Sequence, residues 1–242
     1  GQLAVRRFDA YVSRTERAAD TDYYHPTHIE NSMANVARLR DSLAAGGVPL
    51  TVLLAPRTID VTASAFDYPS DLSDSLDSAI TSALTEASVE QIDLLATFRE
   101  AYDKGEYVYY RTDHHWTTLG AYYGSEIILT EMGETIAPLA SYTRETASDA
   151  FFGTTWSTAG ASWIAPDTME YFRYPGDTDF TTTIVDNGTS FAGFYDTSYL
   201  TKKDKYSSFI GGNNALVTVT KNGGEDRPTL LLIKDSFAHS TV

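Results

Sequence analysis

The sequence predicts an α/β protein in which helices cover a mostly parallel sheet, with a long β-strand and loop-rich insertion in its second half. Three observations carry this. "VPLTVLLAP" (Val48 to Pro56) is a short, unbroken apolar run rich in β-formers, the pattern of a strand buried on both faces. Around it lie segments whose apolar residues recur three to four apart, as on the inner face of a helix. "TLLLI" (Thr229 to Ile233) then repeats the buried-strand pattern after a stretch of different texture.

Taken in order, Gly1 to Asp20 is expected to be a helix with Leu3, Phe8, Tyr11 and Val12 on one side. Asn31 to Ala45 predicts a second helix, with Met33, Val36, Leu39 and Leu43 in step and Gly46-Gly47 as its stop. The strand Val48 to Pro56 follows, then a helix from Ser70 to Ala87 through Leu72, Leu76, Ile80 and Leu84. "QIDLL" is a short strand leading into the helix "ATFREAYDKG", and "YVYY" (Tyr107 to Tyr110) is another strand. Thr117 is expected to cap a helix whose Leu119, Tyr123 and Ile127 share a face and which Gly133 ends. Between Pro138 and Asn214 the composition turns to Gly, Thr, Ser, Asp and aromatics. There "TMEYFRY" and "DFTTTIV" read as half-exposed strands. Residues 138–214 are therefore expected to be an insertion within one domain spanning 1–242. "ALVTVT" and "TLLLI" return to the earlier pattern, and the second runs into "KDSFAHS". Because the sequence stops about one helical turn after Ser236, its C-terminal end is expected to be truncated.

At 242 residues the chain is long enough for a self-sufficient core, and 42% hydrophobic with 21% charged residues is ordinary for a soluble domain. The net charge of −15 argues against nucleic acid, whose phosphates need clustered Lys and Arg, and against anionic membrane surfaces. There is no cysteine, which excludes disulfides and thiolate chemistry. No apolar run approaches the roughly 18 residues of a membrane span. No signal peptide precedes Gly1, although an N-terminal Gly is compatible with a removed signal or anchor. The 16 Tyr against 3 Trp supply amphipathic rings that suit either carbohydrate surfaces or Tyr-rich sheets.

The chemistry concentrates in "YYRTDHHWTTLGAYY" (Tyr109 to Tyr123), which holds two of the five His residues. Asp113 and His115 stand two apart on an expected loop. That spacing lets the carboxylate accept the proton of one ring nitrogen and leaves the other basic. Ser236, at a sharp turn after the expected strand Thr229 to Ile233, has the geometry that exposes a nucleophilic Oγ beside backbone N–H groups. Each part has a plainer reading. An isolated Asp-x-His is usually a hydrogen-bonded loop, and a lone Ser after a strand is usually an N-cap.

The Asp113-His114-His115-Trp116 block, with Thr117 and Gly120, is followed by "FFGTTWS" (Phe151 to Ser157), "PDTMEYF", "GGNN" (Gly211 to Asn214) and "KDSFAHS". This order resembles the DHHW family of bacterial proteins, which are similar to the SGNH-hydrolase-like O-acetyltransferases that decorate exopolysaccharides such as alginate. The resemblance implies a three-layer α/β/α, SGNH-hydrolase-like (flavodoxin-like) core. It also implies a triad of Ser236 as nucleophile, His115 as base and Asp113 as its orienter. Gly212 with Asn213 or Asn214 are the implied oxyanion donors beside the Ser236 N–H. Trp116 is expected to pack beneath the loop, or alternatively to stack on a sugar, and His114 to bond locally or line the cleft. The implied reaction is transfer of an acetyl group to a cell-surface or extracellular polysaccharide, or hydrolysis of acetyl esters. The partners would be a sugar acceptor and an acetyl donor, with a membrane acetyl-transfer protein as one source, and no cofactor is expected.

Two other classes remain open in the sequence. Asp-His-His also marks a group of metal-dependent phosphoesterases, but that chemistry needs further ligands, and only His25, His28 and His239 remain. His25 and His28 ("YYHPTHIE") read as a solvated loop. A non-catalytic polysaccharide-binding or assembly module would also suit the aromatic surplus.

Overall fold

Strand pairing, not helical periodicity, organises the described residues before Thr21: residues 5–7, 10–12 and 18–20 pair with one another, and Gln2–Leu3 pairs with the later strand at Phe66–Asp67. In the computed structural model, residues 2–3, 5–7, 10–12, 18–20, 26–67, 75–224 and 229–241 are described, with side chains over 28–66, 78–224 and 229–241. Four short strands, β1 (Gln2–Leu3), β2 (Val5–Arg7), β3 (Ala10–Val12) and β4 (Ala18–Asp20), stand where a helix was expected. The expected stripe fails at its first step, because Leu3 and Phe8 are five apart and so not neighbours on a helix. Instead Val5 lies opposite Val12 and Arg6 opposite Tyr11. Pairing partners so near in sequence cost little loop entropy, and β-branched and aromatic residues favour it.

The chain divides into two units: Gly1–Tyr107 with Thr155–Ile164, and Val108–Thr154 with Ala165–Val242. In the first unit, helix α1 (Pro26–Ala44) begins five residues before the expected start, with Pro26 at the position that tolerates a missing N–H. Strand β5 (Thr51–Leu54) follows, then α2 (Thr58–Val61), β6 (Phe66–Asp67), α3 (Ser75–Glu86), β7 (Glu90–Asp93) and α4 (Leu95–Asp103). The first residues of the expected 70–87 helix lie outside the described residues. β5 and β7 pair in parallel from Thr51↔Glu90 to Leu54↔Asp93, with α2 and α3 in the crossover. Leu84, Leu94 and Phe98 are fully buried in this unit. Arg57 forks onto the buried Asp60 (Nε–Oδ2 2.7 Å, Nη2–Oδ1 2.9 Å), a bidentate pair that compensates the carboxylate's lost hydration.

In the second unit, helix α5 (Thr118–Glu131) is capped by Thr117, whose side chain accepts from the Gly120 N–H at 3.2 Å. Strands β8 (Thr143–Phe151) and β9 (Asp167–Arg173) form an antiparallel ribbon. A second sheet runs β11 (Thr189–Ala192), β10 (Phe180–Ile184), β12 (Val217–Lys221), also antiparallel. Tyr110, Phe151, Met169, Tyr171, Tyr206 and Phe209 make one buried cluster. The strands expected in "TMEYFRY", "DFTTTIV" and "ALVTVT" are thus formed.

The architecture is mixed α/β built from small sheets, and three expectations change. Among the described strands five pairings are antiparallel and two parallel, so they do not form the mostly parallel sheet expected. "YVYY" makes only the single bridge Tyr109↔Trp116, because the loop that follows turns back on it at once. Thr229 to Ile233 is not a strand. No described strand pairs with it, and Leu231 and Ile233 are each 72% exposed.

One buried carboxylate joins β9 to the loop after Tyr110. Asp167 accepts from the Arg111 N–H (3.1 Å), the Thr112 N–H (2.9 Å), the Arg111 Nε (3.2 Å) and the Thr112 hydroxyl (2.5 Å). Asp167→Ala would strand these buried donors, and it is expected to destabilise the protein by about 3 kcal/mol. Chemical denaturation should show this, whereas loss below about 1 kcal/mol would mean that Asp167 does not anchor the loop.

Candidate active site

The loop 111–117 is closed at its base by the Tyr109↔Trp116 bridge and by the Thr117 N–H donating to the Val108 carbonyl at 2.9 Å. Inside it Asp113 is 2% exposed, and its carboxylate is saturated with donors. Oδ1 accepts from the His115 N–H at 3.0 Å and lies 2.5 Å from His115 Nδ1. Oδ2 accepts from the Thr154 N–H at 2.8 Å and the Thr154 hydroxyl at 3.2 Å. Gly153 makes this approach possible: a Cβ there would sit 2.2 Å from Asp113 Cβ and Oδ2.

His115 Nε2 lies 2.7 Å from Ser236 Oγ. With the Asp113 carboxylate on Nδ1, that nitrogen carries the proton, and the Nε2 lone pair meets the serine hydroxyl. Ser236 opens a short 3₁₀ turn, Ser236–His239, capped by Asp235, whose side chain accepts from the Phe237 N–H at 2.9 Å. Trp116 Nε1 fastens the turn from below, donating to the Phe237 carbonyl (2.9 Å) and to Ser240 Oγ (3.1 Å).

Burial opposes the charged form of both partners. For Asp113 the His115 hydrogen bond and charge, with the Thr154 N–H, outweigh burial and hold the carboxyl well below its usual range. For His115 burial wins over the Asp113 carboxylate, and its pKa falls below the ordinary 6.5. Near neutral pH the arrangement is an ionised carboxylate, a neutral imidazole and a serine hydroxyl in series. It can accept a proton from Oγ as that oxygen attacks an electrophile.

The pattern that defines the family described as "DHHW protein" matches residues 17–242. The chain belongs to the DHHW protein family. Among solved structures it is similar to a DHHW family protein from Eubacterium siraeum, at 22% identity and TM-score 0.74, covering 98% of this chain and 79% of that one. It is also similar to Bacillus cereus PatB1, at 19% identity and TM-score 0.71, covering 99% and 82%. The O-acetyltransferase domain of Pseudomonas putida AlgJ matches at 20% identity and TM-score 0.56, covering 72% and 68%. At these identities the likeness is one of fold. None of the curated proteins compared matches the chain.

The remaining motif residues of this DHHW protein fall into place unevenly. Trp116 is 1% exposed, with Phe237 edge-on at 5.5 Å, so it packs beneath the turn and has no free face for a sugar. His114 Nδ1 pairs with the Thr154 hydroxyl at 2.7 Å, and its ring lies 3.9 Å from that of His115. The Gly212 N–H donates to the Phe209 carbonyl at 3.1 Å, and the Asn214 amide donates to the Gly211 and Gly212 carbonyls at 3.0 and 3.3 Å. Those donors are held within their own loop, while Asn213 is exposed. Gly212 is required there: φ is +80°, and a Cβ would meet Ser207 Oγ at 2.6 Å.

Four further residues at the site were given no role by the sequence. Thr154 and Gly153 sit in "FFGTTWS", where nothing local marks them as neighbours of Asp113. Tyr206 lies flat on His115, at 3.9 Å and 12° between rings. His239 is 3% exposed, and burial pushes it down to about 4, so it is neutral beside the site.

Asp113, His114 and His115 each offer a ligand atom, all within 4.8 Å of one another, so the trio is a candidate metal cluster among the described residues. Its donor chemistry fits poorly: both His115 nitrogens and both Asp113 oxygens are committed to the hydrogen bonds above. A metal would have to displace the serine or the carboxylate to bind His115.

Gly153→Ala is expected to push Asp113 out of its pocket and lower any Ser236-dependent activity at least tenfold, with thermal stability reduced. An active, equally stable variant would refute the close-approach argument; circular dichroism melting alongside the rate measures both.

Proposed function

We propose that this DHHW protein is a serine-dependent O-acetyltransferase acting on an extracellular or cell-surface polysaccharide, with acetylesterase activity when water replaces the sugar. The observation that carries the reading is the hydrogen-bonded series Asp113–His115–Ser236, at 2.5 and 2.7 Å. The fold shared with the AlgJ O-acetyltransferase domain supports it. We read the parallel β5/β7 pair as part of a three-layer SGNH-type core, and residues 1–242 as one catalytic domain with 138–214 inserted in it. The polysaccharide substrate would place the protein outside the cytoplasm. Among the described residues no helix is long and apolar enough to cross a membrane.

In the reaction Ser236 Oγ attacks the acetyl carbonyl of the donor while His115 Nε2 takes its proton. Asp113 holds Nδ1–H and stabilises the imidazolium that forms. The tetrahedral oxyanion needs donors placed before charge develops. The Ser236 N–H makes no hydrogen bond among the described residues and fits that role. In the "GGNN" block, Asn213 is the residue whose amide stays uncommitted, whereas the Gly212 and Asn214 donors are occupied. Collapse of the intermediate breaks the ester bond, and the leaving oxygen receives the proton from His115. A sugar hydroxyl, deprotonated by His115, then attacks the acetyl carbonyl, the bond to Ser236 Oγ breaks, and His115 returns the proton to Oγ.

Ser236→Ala, His115→Ala and Asp113→Ala are each expected to lower hydrolysis of a chromogenic acetyl ester by at least a thousandfold without unfolding the protein. Wild-type rates in all three would refute the assignment. Chelator should leave the rate unchanged, and loss of activity restored by Mn or Zn would favour the metal-dependent reading instead.

The pH dependence has a definite sign. His115 must be neutral to accept the proton, and burial holds its pKa below 6.5. Activity should therefore be full at neutral pH and fall on acidification, with the midpoint of kcat/KM below 6.5. A midpoint above that value would mean that His115 is not the base, or that its burial does not control it.

A further inference from the structure

We infer that Tyr206 is a positioning residue of the acyl-transfer site, holding the imidazole of His115 and the turn that carries Ser236 in register from a single side chain. The inference rests on the proposed reading of Ser236 and His115, and it adds a residue outside every sequence motif.

Two separate contacts converge on Tyr206. Its ring lies parallel to the His115 ring at 3.9 Å and 12°, which leaves the imidazole no room to rotate out of line with Asp113 and Ser236. Its hydroxyl donates to the Phe237 carbonyl at 3.2 Å and pairs with Ser240 Oγ at 3.0 Å. These are the two atoms that Trp116 Nε1 also grips. The proton pattern closes without conflict: the Tyr206 and Trp116 donors share the carbonyl, and the Ser240 hydroxyl donates to Tyr206. The Tyr206 residue is 4% exposed, and burial raises its pKa far above the ordinary phenol value, so the hydroxyl remains a donor.

The ring has an electrostatic part to play as well. When Ser236 gives up its proton His115 becomes a cation, and the negative face of an aromatic ring attracts a cation placed over it. In this water-poor site the attraction acts on the imidazolium that precedes acetyl transfer and not on the neutral resting base. The other groups bearing on His115 are the carboxylate of Asp113, the tilted rings of His114 and Phe237, Asp235 on the Ser236 turn, and His239. None of them stacks flat on its face as Tyr206 does, so a shift caused by altering that face is separable from theirs.

The test compares Tyr206→Phe, which keeps the face and loses the hydroxyl, with Tyr206→Leu, which loses both. The readouts are the His115 titration by NMR and acetyl-ester hydrolysis across pH. Phe should leave the His115 pKa unchanged and lower kcat several-fold, with KM for a small ester unaltered. Leu should lower the pKa by roughly half to one and a half units, with a further 3- to 30-fold loss in kcat. If Leu disrupts folding, pentafluorophenylalanine at position 206 keeps the shape but makes the face electron-poor, and it should shift the pKa in the same direction. An unmoved titration in these variants, or the same shift in Phe as in Leu, would overturn the inference. Absence of hydrolysis in the unmodified protein would instead count against the proposed acyl transfer, and the NMR titration would still decide the role of Tyr206.

Discussion

The site depends on one carboxylate that is buried and fully satisfied. An ionised group without water is tolerable only when donors replace its hydration, and Asp113 receives two from the His115 residue and two from Thr154. That arrangement fixes which His115 nitrogen bears the proton and where the other one points. It also dictates the smallest possible side chain at 153, since the carboxylate occupies the space where a Cβ would be. The tautomer of the imidazole and its line to Ser236 follow from this pair, while burial, acting against the carboxylate, lowers its pKa.

A second tier of contacts fixes the partner. Ser236 lies on a turn too short to be rigid by its own backbone bonds, so side chains from elsewhere in the second unit hold it. Asp235 caps the turn from within, and Trp116 and Tyr206 grip the Phe237 carbonyl and Ser240. Trp116 is the residue after His115, and Tyr206 is stacked upon His115, so His115 and Ser236 are held by the same small group of aromatic side chains. Such sharing makes the geometry cooperative, because loss of one clamp would loosen both His115 and Ser236.

How much of this was legible in the sequence follows from which interactions are local. The Asp113–His115 pair is two residues apart, and Thr117 caps α5 three residues before the N–H it accepts from, so spacing alone exposed both. Ser236 stands out through an expected strand and turn at 229–235 and through motif order. The strand is not formed, and its partner lies 121 positions away, so motif order alone carries the reading. Tyr206, Thr154 and Gly153 reach the site through tertiary packing; Thr154 and Gly153 lie in the "FFGTTWS" block, but nothing local shows that they meet Asp113, and nothing marks Tyr206. The same distinction runs through the fold. The β9, β10 and β12 segments alternate and pair with near neighbours. "TLLLI" satisfies the pattern of a buried strand but has no described partner, and periodicity cannot supply one. The helix expected over Gly1–Asp20 failed for the opposite reason: between residues 5 and 20 close pairing partners outweighed a helical stripe that was already broken between Leu3 and Phe8.

The unpaired Leu230–Ile233 run also bears on how copies of this protein behave toward one another. Four consecutive exposed aliphatic residues of high β-propensity, carrying no charge, are the kind of segment through which chains self-associate. What opposes this is long-range repulsion from a net charge of −15. That repulsion reaches only about 10 Å at 0.1 M salt and shortens as salt is added. Colloidal stability is therefore tied to ionic strength. Among the described residues, the aliphatic segment that leads to Ser236 has charge rather than cover to keep it from its copies.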